Sequence, residues 1–451
     1  MIVERFTLSN GFKVLGIEDP GRHAAALQFW TMVGSADETD AERGISHLIE
    51  HMAFKGTTDR GGNKLFQELE KLGGAINAFT RWDHTFFHLT VPSDKVPAGL
   101  EVLADAVFNP LLDPGDLERE KRVVLEEILE GHERPSVKAG LLTCETAYTV
   151  SPYRFPVVGY PETVQGFTRD SILAFRGKWY VPENMFLVLV GNVEFDRLLP
   201  EIDRMVGQIP RGGAVVRPHR PVEPQQTEIR SACVRDRNAR ETWLSLAFHV
   251  PPMRSDDVNA LDLAADLLGA REGSRLIQVL KNEKRLVHSI SAHCITPRDP
   301  GLFGIRATLD AKNVEAATRA VLDELERMAE APPNVAELDL SRVHIESNHL
   351  YLRETVEGYA KIIGALEAEM GDGTYGEKYL RLNRLVTGEE VSSAVQRYLR
   401  QPNMTITALV PESHAPLFDM GRVCTTAGTY PPVKPRASRS RRVSDTIATC
   451  L

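Results

Sequence analysis

The sequence lacks the features that mark several large classes of protein. Its five cysteines are scattered, odd in number and without the paired spacing of a metal site or a disulfide framework. No apolar run is long enough to cross a membrane, and no basic and apolar leader precedes the strand-like segment 4–12. A net charge of −9 gives no support for nucleic-acid binding. We therefore expect a cytoplasmic protein that binds neither membranes nor nucleic acid.

The length and composition are typical of a globular protein with more than one domain. A chain of 451 residues, 42% hydrophobic and 25% charged, exceeds the usual size of a single hydrophobic core. Its last segment differs from the rest because prolines and basic residues dominate it. We interpret residues 429–451 as a disordered basic tail.

The most informative stretch is His47-Leu48-Ile49-Glu50-His51. On a helix, His51 lies about 40° from His47 and Glu50 about 60° away on the other side, so the three share one face. Two histidines at this spacing can bind one zinc ion and leave positions for water. Glu50 can take a proton when that water attacks a carbonyl, in the inverse order of the His-Glu-x-x-His peptidases. An amphipathic helix can also carry such a pair by chance, so a third donor is needed.

The third donor should come from an element that folds back onto this helix. The segment 116–130 follows the turn signal Asp113-Pro114-Gly115, and its pattern predicts a long helix with a buried apolar stripe. Glu120 and Glu127 are two turns apart on that helix and could both face inward. This spacing alone leaves both residues open as ligands.

Together these segments resemble the pitrilysin/insulinase family of inverted zincins. In that family the third zinc ligand is a glutamate in a helix of the form Val-x-x-Glu-Ile, and residues 124–128 match this form. Glu127 follows His51 by 127 − 51 = 76 residues, which also fits the family. The resemblance therefore implies one Zn²⁺ per chain, held by His47, His51 and Glu127. It makes Glu120 a carboxylate that orients a ligand or the water.

The same resemblance gives roles to two further residues. Residues 52–57 continue the active-site helix in the family manner, and Phe54 would flank the metal unless it is a core aromatic. Residues 75–80 would form an edge strand that binds a peptide by adding it to the sheet, with Asn77 touching the peptide backbone. On local chemistry alone, Asn77 could also be a turn or capping residue.

The chain contains an internal repeat. The pattern around Thr168 and Asn184 recurs around Thr387 and Asn403 with the same offset, since 387 − 168 and 403 − 184 both equal 219. Equal offsets indicate duplicated domains. Our predicted divisions are a catalytic zinc-binding domain, a proline-rich linker and a homologous substrate-holding domain, at residues 1–208, 209–226 and 227–428. The resemblance implies an α+β fold in which two α/β-roll domains, each a mostly antiparallel sheet with helices on one face, form a clamshell.

The second domain lacks the zinc motif. The offset of 219 maps His47, Glu50 and His51 onto Asp266, Gly269 and Ala270. Without these nitrogen ligands and this base, the second domain cannot host the same chemistry.

A second departure concerns the substrate-facing pair of the family. Active members carry an arginine and, seven residues later, a tyrosine that reaches the substrate and the oxyanion. Here those positions are Lys281 and His288. Lysine lacks the rigid fork of arginine, and histidine titrates near neutral pH. Either this pair performs a weaker version of the role, or a related partner subunit supplies the complete pair.

The sequence therefore predicts a zinc endopeptidase that cleaves unfolded peptides or small polypeptides. Glu50 would act as the general base, with possible help from His288 at the oxyanion. A different class, a non-catalytic peptide-binding subunit, is disfavoured because the metal motif is intact. A third hypothesis keeps the catalysis but specialises it, for example in maturing a ribosomally made peptide with a partner, so the assembly would be a homodimer or a heterodimer.

Overall fold

The computed structural model describes residues 2–61, 64–213, 215–217 and 219–432. Two sheets organise these residues, one in each half of the chain. The strands of the first sheet are β1 (Glu4–Thr7), β2 (Lys13–Glu18), β3 (Ala24–Thr31), β4 (Ala75–Thr80), β5 (Thr85–Pro92) and β6 (Met185–Gly191). Those of the second are β7 (Arg230–Asp236), β8 (Thr242–Val250), β9 (Ser289–Ile295), β10 (Gly301–Leu309) and β11 (Thr405–Pro411).

The two sheets have equivalent topologies. The first has the order β1-β2-β6-β3-β5-β4, and the second has the order β7-β11-β8-β10-β9. In each, one pair of strands is parallel, β2 with β6 and β7 with β11, while the remaining pairs are antiparallel. The second sheet therefore repeats the first without its outer strand β1. This arrangement confirms the α+β fold with two homologous, mostly antiparallel halves.

Helices connect the strands in both halves. In the first half they are α1 (Ile45–Met52), α2 (Lys64–Leu72), α3 (Val96–Phe108), α4 (Pro114–Glu133), α5 (Pro135–Ala147), α6 (Pro161–Gly166), α7 (Arg169–Trp179) and α8 (Phe195–Ile202). In the second they are α9 (Val258–Ala265), α10 (Val314–Glu330), α11 (Val335–Arg353), α12 (Val356–Met370), α13 (Tyr375–Leu385), α14 (Gly388–Tyr398) and α15 (Met420–Gly428). The repeat is visible at the helix starts, because Thr168 caps α7 and Thr387 caps α14.

Each half has its own apolar core on one face of its sheet. In the first half, Phe29 and Phe87 from neighbouring strands are fully buried beneath α1, α3 and α7. In the second half, Phe248 and Phe303 occupy the same positions beneath α9, α10 and α14. Alternate residues of each strand face this core, as the two-residue period of a strand requires.

The opposite face of each sheet is covered by a helix from the other half of the chain, so the two halves exchange one helix each. Helix α12 of the second half packs on the first sheet, where Ile363 joins Trp30 and Val188 in a shared apolar cluster. Helix α5 of the first half lies over the second sheet, and its Thr143 contacts Thr407 at 2.8 Å. Each sheet therefore has helices on both faces. One face carries helices from the same half of the chain, and the other carries a helix from the other half. The sequence pattern predicts only the helices from the same half.

The segment between the halves makes specific polar contacts with both. Arg220 donates to Asp37 and Asp83 of the first half and to Asp299 of the second. Tyr430, at the start of the predicted tail, is buried in the second core. Residues 214 and 218 of the predicted linker, residues 62 and 63, and the part of the tail after residue 432 lie outside the described residues. Within the described residues, no helix has both the length and the apolarity needed to span a bilayer.

Candidate metal centre

The helix that carries the histidines begins with a specific turn. Gly44 precedes α1 with φ of 93°, and a Cβ there would lie 2.6 Å from the carbonyl oxygen of Val158. Only glycine fits this left-handed position without strain. The carboxylate of Glu38 accepts hydrogen bonds from the backbone N–H groups of Gly44 and Ser46 at 2.8 and 2.9 Å. Glu38 therefore satisfies donors at the start of α1 and fixes its direction.

Helices α1 and α4 bring the three proposed ligands together. The ligand atoms of His47, His51 and Glu127 lie within 4.8 Å of one another. The Nε2 atoms of both histidines are 3.7 Å from Oε2 of Glu127. Donors around a tetrahedral zinc with bonds of about 2.0–2.1 Å lie roughly 3.3 Å apart. The two histidine–carboxylate separations therefore match that spacing after shifts of a few tenths of an ångström.

The local electrostatics suit a cation. Burial, together with the charge of His51, lowers the pKa of His47 to about 4, so that imidazole is neutral near pH 7. The His51 imidazole, 3.7 Å away, lowers the pKa of Glu127 and favours its carboxylate form. Burial acts to lower the pKa of His51, but the nearby carboxylates of Glu127 and Glu120 raise it overall. A neutral imidazole beside an ionised carboxylate is the donor chemistry that zinc prefers.

Glu120 contacts a histidine on the side away from the ligand cluster. Its Oε2 lies 3.3 Å from Nδ1 of His51, and its Oε1 pairs with Nζ of Lys55 at 2.8 Å. The buried Glu120 can therefore accept the Nδ1 hydrogen and leave Nε2 of His51 for a metal. Lys55 balances the negative charge that the second carboxylate brings to the site.

Glu50 is held by a hydroxyl from the neighbouring strand. Thr80, the last residue of β4, donates its hydroxyl hydrogen to Oε2 of Glu50 at 2.6 Å. Burial raises the pKa of Glu50, and the Thr80 hydrogen bond opposes that rise. The carboxylate therefore has one oxygen fixed by Thr80. This geometry is that of an oriented proton acceptor beside the ligand cluster.

Two residues have predicted substrate roles, Asn77 on β4 and Phe54 just after α1. Asn77 is exposed on β4, which is the edge strand of the first sheet, and its Oδ1 accepts from the N–H of Ala78 at 2.8 Å. Phe54 packs edge-on against Phe87 at 6.1 Å between ring centroids. The edge position leaves β4 open to another strand, whereas the packing of Phe54 favours the core alternative.

Lys281 and His288 have their polar partners inside the second half. Nζ of Lys281 lies 3.8 Å from Oε1 of Glu272, and Nε2 of His288 lies 3.5 Å from Oδ1 of Asp310. More than half of the His288 side chain is exposed. The structure brings together His47, Glu50, His51, Glu120 and Glu127, and it leaves this pair with partners of its own.

Sequence reasoning missed three residues of the centre. Thr80, Lys55 and Glu38 act through spatial neighbours from other elements, and no periodic pattern identifies them. Lys55 offered the best signal, because it follows His51 by one helical turn and could meet the same carboxylate. Among the described residues, His47, His51 and Glu127 form the only cluster of three metal-binding side chains.

Comparisons with known proteins identify the family of this chain. The family description "Insulinase (Peptidase family M16)" matches residues 13–158, and "Peptidase M16 inactive domain" matches residues 166–342. An uncharacterized zinc protease of Rickettsia felis is 26% identical over 404 residues, covering 89% of this chain and 96% of the relative. One of Mycobacterium tuberculosis is 28% identical over 400 residues, covering 88% and 90%.

The fold is also similar to that of solved structures. The crystal structure of a protease from Helicobacter pylori superposes with a TM-score of 0.86 at 23% identity. That similarity covers 91% of this chain and 99% of the other.

Proposed function

Because this chain belongs to the insulinase (M16) family of peptidases, we propose that it is a zinc-dependent endopeptidase for unfolded peptides and small polypeptides. The observation that carries the proposal is the convergence of His47, His51 and Glu127 within 4.8 Å, with Glu50 beside them. Relatives of similar length are named zinc proteases, which supports zinc as the metal. We propose one ion per chain, held by these three side chains.

The residues of the site divide the chemistry among them. Zinc supplies a Lewis acid and lowers the pKa of water near it when it is bound. Glu50 accepts the proton of the attacking water at Oε1, because Thr80 holds Oε2. Glu50 then passes this proton to the departing amine. Glu120 holds the Nδ1 side of His51 and keeps the imidazole oriented.

The substrate binds along the edge of the first sheet in this proposal. Among the strands that the structure describes, β4 has no partner on its outer edge, and Thr80 at its end contacts Glu50. An extended peptide added to β4 would pass Asn77 and reach the base. Beyond Thr80, a cavity of about 790 Å³ between the two halves can receive its side chains. Strand addition needs an extended segment with unpaired backbone groups, and unfolded chains offer such segments along their length, so they are the expected substrates.

A partner-dependent subunit is the second candidate. Its support is that Lys281 and His288 pair with acidic residues of their own half and depart from the arginine and tyrosine of active relatives. A related subunit would then supply that pair in a heterodimer, for example one that matures a ribosomally made peptide. A homodimer with a weaker Lys281 and His288 pair is the alternative. The four described cysteines are unpaired, which supports a reducing cytoplasmic setting for either assembly.

The test compares the native chain with Glu50→Gln. Both proteins are loaded with zinc, their metal content is measured, and cleavage of a quenched peptide library is followed with and without a chelator. Glu50→Gln should retain stoichiometric zinc and lose about 10²–10⁴-fold in kcat/KM, since a general base contributes about that much. Exposed Glu126→Gln is the matched control, because it changes a neighbouring carboxylate of α4 outside the cluster.

Each outcome decides between the candidates. Activity of the chain alone that depends on zinc and Glu50 supports the endopeptidase. No activity alone, but activity after mixing with a related subunit, supports the heterodimer. Peptide turnover that survives Glu50→Gln refutes the assigned base, and absence of stoichiometric zinc refutes the metal centre.

A further inference from the structure

The two exchanged helices cover their sheets in different ways. On the first sheet, α12 packs closely, since a Cβ on Gly364 would lie 2.1 Å from Cε2 of Trp30. The Trp30 ring stacks on Phe86 at 4.2 Å. On the second sheet, α5 packs loosely, since a Cβ on Gly140 would meet no heavy atom within 4 Å. A cavity of about 320 Å³ lies between α5 and the second sheet.

Strand register explains where this space comes from. In the first sheet the covered face carries the cross-strand pairs Trp30–Phe86 and Gln28–His88. At the matching positions of the second sheet, the pairs are His249–Leu302 and Ala247–Gly304. Bulky side chains are thus replaced by smaller ones, including a glycine. The second sheet has a space where the first has a packed aromatic cluster.

The next cross-strand pair of the second sheet includes an arginine, and its side chain lies in that space. Ala26 faces Thr90 in the first sheet, and Ser245 faces Arg306 in the second. Arg306 lies on the interior strand β10, whose neighbouring residues Ile305 and Ala307 are buried in the core on the other face. Its side chain therefore projects into the cavity under α5, which it lines.

Arg306 has no counter-charge there. Over the ranges that the structure describes, no carboxylate oxygen lies within 4.0 Å of its guanidinium, and the cavity lining contains no Asp or Glu. The residue is exposed, so its charge remains hydrated. Burial, assisted by the charge of Arg306, lowers the pKa of neighbouring His293 to about 4, so His293 is neutral near pH 7 and adds no charge of its own. The cavity therefore has a positive potential with a free bidentate donor.

The cavity is continuous with the catalytic region. It shares Trp82, Leu141 and Ile295 with the larger cavity of about 790 Å³, and Thr80 lines that larger cavity. Thr80 in turn donates to Glu50. A peptide that leaves β4 at Thr80 can therefore pass Trp82 and bring a negative group to Arg306.

We propose that Arg306 is a specificity-determining residue that binds a carboxylate of the peptide substrate. This inference rests on the proposed function, because it assigns a property of the bound substrate. The guanidinium would hold the carboxylate through two parallel hydrogen bonds. The carboxylate comes either from an Asp or Glu side chain or from the C-terminus of the peptide, and both have the same chemistry.

The test measures binding without cleavage. Dissociation constants are measured by fluorescence anisotropy in the Glu50→Gln protein loaded with zinc. The first arm uses labelled peptides that contain no acidic residues and end either in a carboxylate or in a carboxamide. An amidated series with Glu or Gln at each position forms the second arm. One charge-assisted pair should strengthen binding of the matching peptide by about tenfold or more. Tighter binding of the carboxylate peptide in the first arm means that Arg306 binds the C-terminus. Tighter binding of Glu than Gln at one position in the second arm means that Arg306 binds an acidic side chain.

Two variants assign the preference to this cavity. Arg306→Gln should make the dissociation constants of each matched pair equal. Ala247→Leu should do the same by filling the space while keeping the charge, since Ala247 lines this cavity and is not in the lining of the larger one. Arg319→Gln, which changes an exposed arginine of α10, should retain the preference. Circular dichroism checks that each variant is folded.

The results separate this proposal from the proposed function. Binding that prefers carboxylates through Arg306, in a chain that cleaves no peptide, supports the anion site and contradicts the peptidase. Cleavage without any preference for a carboxylate overturns the role of Arg306 and leaves the peptidase standing. A preference that survives Arg306→Gln, or no binding of any peptide, also overturns it.

Discussion

Replacing either of two helical glycines by alanine tests the asymmetry between the covered sheet faces. Gly140 lies in α5 and Gly364 in α12, and each faces the sheet of the other half. The chemical change is the same at both positions: one methyl group is added and a flexible helical residue is removed. The expected effects on stability nevertheless have opposite signs, because one methyl enters open space and the other meets a fixed indole.

The magnitudes follow from the surroundings of each Cβ. In a helix, alanine is favoured over glycine by about 1 kcal/mol, so Gly140→Ala should stabilise by nearly that amount. At Gly364, the new Cβ would approach Cζ2 of Trp30 to 2.3 Å and Nε1 to 2.4 Å. Trp30 is 1% exposed, stacks on Phe86 and donates to Gln28, so it cannot move aside easily. An overpacking cost of roughly 3 kcal/mol, reduced by the helix gain, leaves about 2 kcal/mol of destabilisation.

Thermal and urea unfolding of both variants measure these effects. For domains of this size, 1 kcal/mol corresponds to about 2–4 °C in Tm. Gly140→Ala should therefore raise Tm by about 2–4 °C, and Gly364→Ala should lower it by about 4–8 °C. Equal shifts of the same sign would refute the claim that α12 is closely packed and α5 loosely packed. Gly428→Ala, at the end of α15 with open space around it, is the control for the methyl group alone.

Two further predictions concern the metal centre. Glu120→Gln should weaken zinc binding by about 10–100-fold, because the Nδ1 side of His51 loses its charged acceptor. A competition assay with a chromogenic chelator measures the affinity, and an unchanged value would mean that Glu120 does not orient His51. Thr80→Val should lower kcat by about tenfold or more with zinc content unchanged, because Glu50 loses the hydroxyl that fixes it, and Thr80→Ser should restore the rate. Equal rates for the valine and serine variants would contradict that positioning role.

The parts of the fold and site that depend on local periodicity are predictable from the sequence. His47, Glu50 and His51 share a helix face, and the helix that carries Glu127 has a clear start and an apolar stripe. The repeat is predictable too, since Thr168 and Thr387 start equivalent helices in both halves. The repeat implies two sheets with equivalent topology, and the structure contains two such sheets.

The remaining features depend on contacts between distant segments. The offset of 219 that holds at β3 and β8 changes to 303 − 87 = 216 at the core phenylalanines of β5 and β10. A constant offset therefore misaligns Arg306, whose true counterpart Thr90 emerges only from strand register. The exchange of α5 and α12 is equally hidden, because either apolar face could have been buried against its own half.

The second half is packed without the histidine pair of the first. Asp266, which follows α9 directly and which the offset of 219 maps onto His47, accepts from Nε of Arg271 at 2.7 Å and also contacts His344 of α11. Arg271 also donates to Oγ of Ser341 at 3.0 Å, so one guanidinium joins the segment after α9 to α11. A buried carboxylate needs a positive partner, and here a side chain provides it. A metal ion is therefore not required for this contact, because Arg271 supplies the positive charge between Asp266 and α11.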